Sequence, residues 1–183
     1  MINDYIILNI GTKIGQNGEL MQIRKTTADD IEAAGKIYDD ARAFMRESGN
    51  PTQWADGYPN GSTVMEDIEA GVGYVCEENG EILAVFMYAE DDDPTYDKIY
   101  EGAWLDNAPY AVIHRIAVSA NAHGKGVAAY CFAECFKRFP NIKIDTHRDN
   151  IPMQRALERA GFKRCGIIYL ASGEERIAYQ KNE

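Results

Sequence analysis

The 183-residue chain has no apolar run approaching the ~20 residues that a membrane-crossing helix needs. The apolar stretch at residues 5–10 is short and lacks a basic flank, so it is not a signal peptide. Positive charge is also scarce. Nineteen Lys and Arg face 29 Asp and Glu, and the net charge of −10 argues against a general nucleic-acid binder. There are only four cysteines, Cys76, Cys131, Cys135 and Cys165, and no secretory signal, so they read as reduced thiols of a cytoplasmic protein. Cys131 and Cys135 are one helical turn apart, but no second closely spaced Cys/His pair joins them. They read as small buried hydrophobes, and no metal is expected. Histidine occurs three times, at 114, 123 and 147, which keeps the candidate bases few.

What remains is ordinary globular material, 45% hydrophobic and 26% charged, of a length that suits one domain. Residues 1–20 break up after Ile10 and read as an N-terminal extension, with a short edge strand at 5–10 as the competing view; residues 21–183 form the domain. A strand at 21–25 precedes a capping box at Thr27 and Asp30 and a helix to about residue 47, with apolar residues at helical spacing from Ile31 to Met45. A glycine- and proline-rich loop follows, in which Trp54 and Tyr58 either plug the core or line a pocket. A second capping box, Thr63 to Glu66, is expected to start a short helix ending at Gly71. Asn79-Gly80 between two apolar runs signals a hairpin. Residues 90–109 are a long connection, acidic at first and then carrying Tyr96, Tyr100 and Trp104; such length in a compact domain is often functional.

The stretch at 110–139 reads as a buried strand, a glycine-bearing loop and a helix. Gly124 and Gly126 stand where the helix begins, and uncovered amides at a positive helix end make an anion site. Another strand at 142–146 makes this a βαβ unit, with its two strands parallel. Asn150 caps the next helix, Gly161 ends it, and a hairpin closes the chain. No Walker loop fits around Gly124-Lys125. The dinucleotide fingerprint fits better, with Gly124, Gly126 and Ala129 in place and Asp145 about twenty residues on. However, five residues separate Val118 from Gly124, and one crossover is too few for a doubly wound sheet.

Three pieces of the chain resemble the GNAT superfamily of acyl-CoA-dependent N-acyltransferases. They are Ile116-Ala117-Val118 with the loop His123-Gly124-Lys125-Gly126-Val127-Ala128, the segment from Asn150 to Gly161-Phe162, and the order of elements over roughly residues 21–180. The resemblance implies an α/β fold with a mixed central sheet, antiparallel N-terminal strands, one parallel βαβ pair and flanking helices. It implies acetyl-CoA as cosubstrate, with its pyrophosphate on the amides of residues 124–128 and its pantetheine arm beside Ile116 to Val118 between splayed strands. Asn150 would cap its helix, reach the cofactor arm, or do both. His123 stands where the family usually has Arg or Gln, and either donates to a phosphate or is simply a loop residue.

Leu157 stands where many members place a tyrosine as general acid, so that role is vacant or has moved. A thiol of pKa about 8.5 leaves tolerably unaided, whereas an alkyl amine near pKa ~10 must first lose a proton, so the base matters more. His114, in mid-strand, is either that base or a hydrogen-bonded core histidine. His147 and Asp145 lie at the end of the following strand, and a carboxylate of the 90–109 connection could act through water. Cys165 serves only a ping-pong scheme, which the resemblance disfavours. The expected activity is acetyl transfer from acetyl-CoA to a primary amine, on a small molecule or a lysine side chain, with Trp54, Tyr58, Tyr96, Tyr100 and Trp104 as walls of the acceptor pocket. The alternatives are a non-catalytic acyl-CoA-binding module and, more remotely, a dinucleotide enzyme. No nucleic-acid or membrane partner is expected, and the open edge of such a sheet admits a homodimer.

Overall fold

A computed structural model describes residues 21–183; the expectations for residues 1–20 lie outside the described residues. In chain order the elements are β1 (Gln22–Lys25), α1 (Ile31–Glu47), α2 (Gly61–Glu69), β2 (Gly73–Glu78), β3 (Glu81–Ala89), β4 (Ala111–Val118), α3 (Val127–Arg138), β5 (Ile142–Thr146), α4 (Ile151–Arg159), β6 (Lys163–Tyr169) and β7 (Glu175–Lys181). The seven strands form one sheet in the order β1-β2-β3-β4-β5-β7-β6. Every neighbouring pair is antiparallel except β4 and β5, as expected for a single crossover through α3. A doubly wound dinucleotide sheet is therefore absent among the described residues.

Local chemistry explains most boundaries. The Asp30 carboxylate accepts from the Thr27 amide at 2.8 Å and so holds the entrance to α1. Asn79 and Gly80 both have positive φ, 54° and 78°, as a two-residue hairpin turn requires. The expected capping box at Thr63 is displaced. Asn60 is the cap of α2, its Oδ1 accepting from the amides of Ser62 and Thr63 at 2.9 and 3.3 Å, and Thr63 is the third helical residue. The helix starts earlier because Gly61, which reads as a breaker, is tolerated in a first turn whose amides are capped.

Strand alternation sorts the core into two layers. α3 and α4 cover one face over Tyr74, Cys76, Ala84, Phe86, Ile113, Ile144 and Tyr179. On the other face α1 and α2 cover Val75, Val85 and Ala117, while the 90–109 connection covers Val112, Ile168 and Ala178 with Tyr96. That connection also pairs with β6: the Tyr100 and Ile167 backbones exchange two hydrogen bonds of 2.8 Å, closing what would be an open edge. All four cysteines are free and buried. Glu134 of α3 is buried beside Lys137, whose Nζ lies 2.5 Å from its Oε1.

Two irregularities in the middle of the sheet shape the site. β4 and β5 pair only at Ala111–Ile142 and Val112–Lys143 and then part. Along β3 the register jumps between Val85–Ala117 and Met87–His114, so β4 carries one extra residue there. Arg115 absorbs it with φ +54°. The bulge reverses the alternation. His114 shares the face of Val112, and Ala117, which an unbroken strand would turn the other way, joins that face too.

Candidate active site

The gap between β4 and β5 opens into a cleft of about 840 Å³ between α1, α3, α4 and the loops above the sheet. Nine of the ten residues expected at the cofactor line it: Ile116, Ala117, Val118, His123, Gly124, Gly126, Val127, Ala128 and Asn150. Lys125, between the two glycines, is the exception. α3 begins at Gly126 without a side-chain cap, which leaves its first-turn amides uncovered. Gly124 and Gly126 have φ of +76° and +81°, and a Cβ on either would meet nothing within 4 Å. The glycines are thus required by backbone conformation, and the space in front of them is open to a phosphate. Beside it, β4 beyond Val112 has no strand on its β5 side. An uncovered helix end joined to an unpaired strand edge suits a ligand that is phosphorylated at one end and amide-bearing along its arm.

Two of the expected contacts are partly engaged within the protein. His123 Nε2 is 3.1 Å from the Val118 carbonyl oxygen, and its ring packs edge-on against Phe44. Asn150 Oδ1 accepts from the Met153 amide at 3.2 Å, while its Nδ2 donates to Gln53 Oε1 at 3.0 Å. Gln53 also accepts from Asn50 at 2.7 Å, so the α1–α2 loop is tied to the start of α4 beside the cleft.

At the other end of the cleft the bulge directs His114 toward carboxylates. Its Nε2 is 2.9 Å from Asp93 Oδ2, and its Nδ1 is 3.9 Å from Asp145 Oδ1. The hydrogen bond to His114 is the main reason that the Asp93 carboxyl is lowered to about 2, against a desolvation that opposes it. Tyr96 is buried below, its ring 5.9 Å from the imidazole, and its hydroxyl donates to Asp145 Oδ1 at 2.7 Å. Burial beside that carboxylate pushes the Tyr96 phenol far up. Arg176 Nε stands 3.8 Å from Asp145 Oδ2, and its Nη2 is 3.3 Å from Glu174. Asp93, His114, Asp145, Glu174 and Arg176 all line the cleft.

Across from them, Arg115 pairs with Asp67 of α2 at 2.6 Å and donates to the Tyr58 hydroxyl at 3.2 Å. Trp54 and Tyr58 line the cleft, and Trp54 also packs edge-on against Tyr38, so the loop is both plug and wall. The other three expected aromatic walls are elsewhere. Tyr96 lies beneath His114, Trp104 donates to the Tyr96 carbonyl oxygen, and Tyr100 packs on Tyr169. His147 is also outside the lining; its Nδ1 accepts from the Asp149 amide at 3.2 Å, and desolvation pushes its pKa down. Cys165 is buried and donates to the Lys163 carbonyl oxygen. Leu157 is fully buried in the core under α4 and is not part of the lining. Asp93 escaped the sequence reading because it is one of four consecutive acids, with nothing to single it out.

A cleft that couples an open helix end to a split in a mixed sheet, with a His–Asp pair beyond it, defines an acyl-CoA-type transferase fold. Comparison with known proteins agrees. The family model described as acetyltransferase (GNAT) family matches residues 35–162. A GNAT-family acetyltransferase from Streptococcus agalactiae is 34% identical, covering 94% of this chain and 99% of its own, with a TM-score of 0.83. A second from Listeria monocytogenes is 20% identical, covering 94% and 100%, with a TM-score of 0.68. A putative acetyltransferase from Salmonella typhimurium, solved with acetyl-CoA, is 16% identical, covering 88% and 93%, with a TM-score of 0.59. The last two speak to the fold alone. A search of curated proteins finds no match to the sequence. The chain belongs to the GNAT acetyltransferase family, whose acyl donor is acetyl-CoA. Among the described residues no helix is long and apolar enough to cross a membrane.

Proposed function

We propose that the protein moves an acetyl group from acetyl-CoA to a primary amine by direct attack, with residues 21–183 as its transferase domain, acting in the cytoplasm, and with His114 as the general base. The His114–Asp93 pair within the cleft carries this reading. An ionised carboxylate can only accept, so Nε2 carries a hydrogen, and in the neutral imidazole that the base role needs the Nδ1 lone pair is left on the Asp145 side. An amine nitrogen approaching the His114 Nδ1 and Asp145 pair from the cleft would meet a base and a counter-charge together. Asp93 fixes the tautomer, and Tyr96 keeps Asp145 oriented by donating to it. Asp93, Asp145 and Glu174 together, answered within the cleft by Arg176, suit an acceptor that arrives as a cation, either a small amine or a lysine side chain.

Bound acetyl-CoA supplies the thioester carbonyl that the amine attacks. The uncovered amides at residues 124–128 would hold its pyrophosphate with His123 and Lys125 alongside, the backbone of Ile116, Ala117 and Val118 would hold its arm, and Asn150 would exchange Gln53 for it. His147 remains a loop-forming residue in this scheme.

The test is thiol release from acetyl-CoA across a panel of cationic amines, with His114→Gln as the control. Release with at least one amine is expected, and kcat should fall by about 10²- to 10⁴-fold in the variant while acetyl-CoA affinity holds. An unaltered kcat would place the base elsewhere. CoA binding without release for any amine would favour the non-catalytic module, a reading motivated by Leu157 standing where many family members place a tyrosine.

A further inference from the structure

Transfer to an amine, the reading on which this inference rests, is eased when the departing sulfur acquires a proton as it leaves. Leu157 cannot provide one and does not reach the cleft. The residues of α4 that do line it, Pro152, Met153, Ala156 and Arg159, include no hydroxyl or carboxyl acid. Among the described residues, the only phenol in the lining is Tyr58, on the opposite wall. The geometry points to Tyr58 as the proton donor to the leaving thiolate.

Three observations converge on it. Arg115 Nη1 donates to the Tyr58 oxygen at 3.2 Å, and a guanidinium can only donate, so this contact uses a lone pair of the phenol and leaves its hydrogen free. No acceptor for that hydrogen stands among the described residues, and the side chain is 46% exposed at the cleft. Second, Arg115 is itself fixed. Its Nη2 is 2.6 Å from Asp67, and its backbone is the bulge of β4. Third, Arg115 directly precedes Ile116 within the part of β4 beyond Val112 that has no strand on its β5 side. The bulge thus anchors the phenol beside the open edge of β4 along which the cofactor arm is proposed to run.

The proton balance then closes. Starting from the neutral amine, Tyr58 gives its proton to sulfur as the C–S bond breaks with its electron pair. His114 takes the proton that nitrogen releases as the C–N bond forms. Solvent carries one proton from the imidazolium back to the phenolate, which Arg115 faces in the meantime. An amide and a thiol result, with no change of oxidation state.

Tyr58→Phe tests this in two ways. In calorimetric titrations without acceptor, the wild type should prefer CoA to desulfo-CoA, and the variant should lose much of that preference while binding desulfo-CoA unchanged. In turnover, kcat should fall by about 10²-fold, the low end for acid catalysis because a thiol of pKa about 8.5 is already a fair leaving group, with the KM for acetyl-CoA unchanged. An unchanged kcat overturns the assignment. So does a lower kcat with an unaltered CoA to desulfo-CoA ratio, which would make Tyr58 only a wall of the acceptor pocket. A wild type that binds CoA but releases no thiol with any amine would overturn the transfer reading instead, and the two-ligand comparison would still report on the hydroxyl.

Discussion

At the scale of single residues, the Asp93–His114 hydrogen bond has a consequence that needs no substrate. The folded carboxyl of Asp93 is lowered to about 2, chiefly by His114 and further by hydrogen bonds from Thr95, whereas an unfolded aspartate titrates near 3.9. Between those values the unfolded chain binds more protons than the folded one. The stabilisation is therefore complete above about pH 4 and is lost as pH falls toward 2. In Asp93→Asn, acid unfolding followed by circular dichroism should be less steep across this window than in the wild type. Equal steepness would mean that the pair does not hold the carboxyl down. The pairing was only half legible beforehand. His114 could be picked out as one of three histidines on a buried strand, but choosing Asp93 over its three acidic neighbours requires the short helical turn at Pro94–Tyr96, where the Asp93 side chain caps the Thr95 amide at 2.8 Å.

Among the elements, the loop from Gly124 to Gly126 and the bulge in β4 do different work and were unequally visible. Glycines mark the loop in the sequence, whereas an ordinary arginine at φ +54° marks the bulge, and no residue type gives that away. Alternation along β4 looks regular until the register with β3 shows which side each residue faces. Asn60 is hidden in the sequence for a related reason: the Thr63/Glu66 pair resembles a capping box, although the amides that need capping begin after Gly61. The glycine loop allows a clean test, because two sites carry similar conformations in open space. Gly126 has φ +81° and Gly80 has φ +78°, and a Cβ on either meets nothing within 4 Å. Placing glutamate at each position should cost similar backbone strain, about 1–2 kcal/mol. Only Gly126→Glu adds an anion and bulk at the start of α3, so it should lose CoA binding while Gly80→Glu retains it, both measured by titration at matched fold. Equal affinity in the two variants would remove the loop from the cofactor site.

For the whole molecule, a net charge of −10 sets a field that the two proposed substrates experience with opposite sign. The acceptor end of the cleft shares that sign through Asp93, Asp145 and Glu174, with the exposed acids at 90–92 next to Asp93 in the chain. A cationic amine is drawn in. Acetyl-CoA, a polyanion, would approach against the field and, in the proposed arrangement, would depend on the local pull of the α3 amides and Lys125. Salt shortens the screening length from about 30 Å at 0.01 M to about 10 Å at 0.1 M, which affects long-range steering far more than contacts at van der Waals distance. Raising KCl across this range should therefore lower kcat/KM for the amine, measured with acetyl-CoA saturating. It should leave unchanged or raise kcat/KM for acetyl-CoA, measured with the amine saturating. A fall of similar size for both substrates would show that salt acts on the protein itself rather than on the approach of its ligands. A neutral acceptor, by contrast, would show no dependence in the first experiment, so the pair of slopes also reports the charge on the molecule this cleft was built to receive.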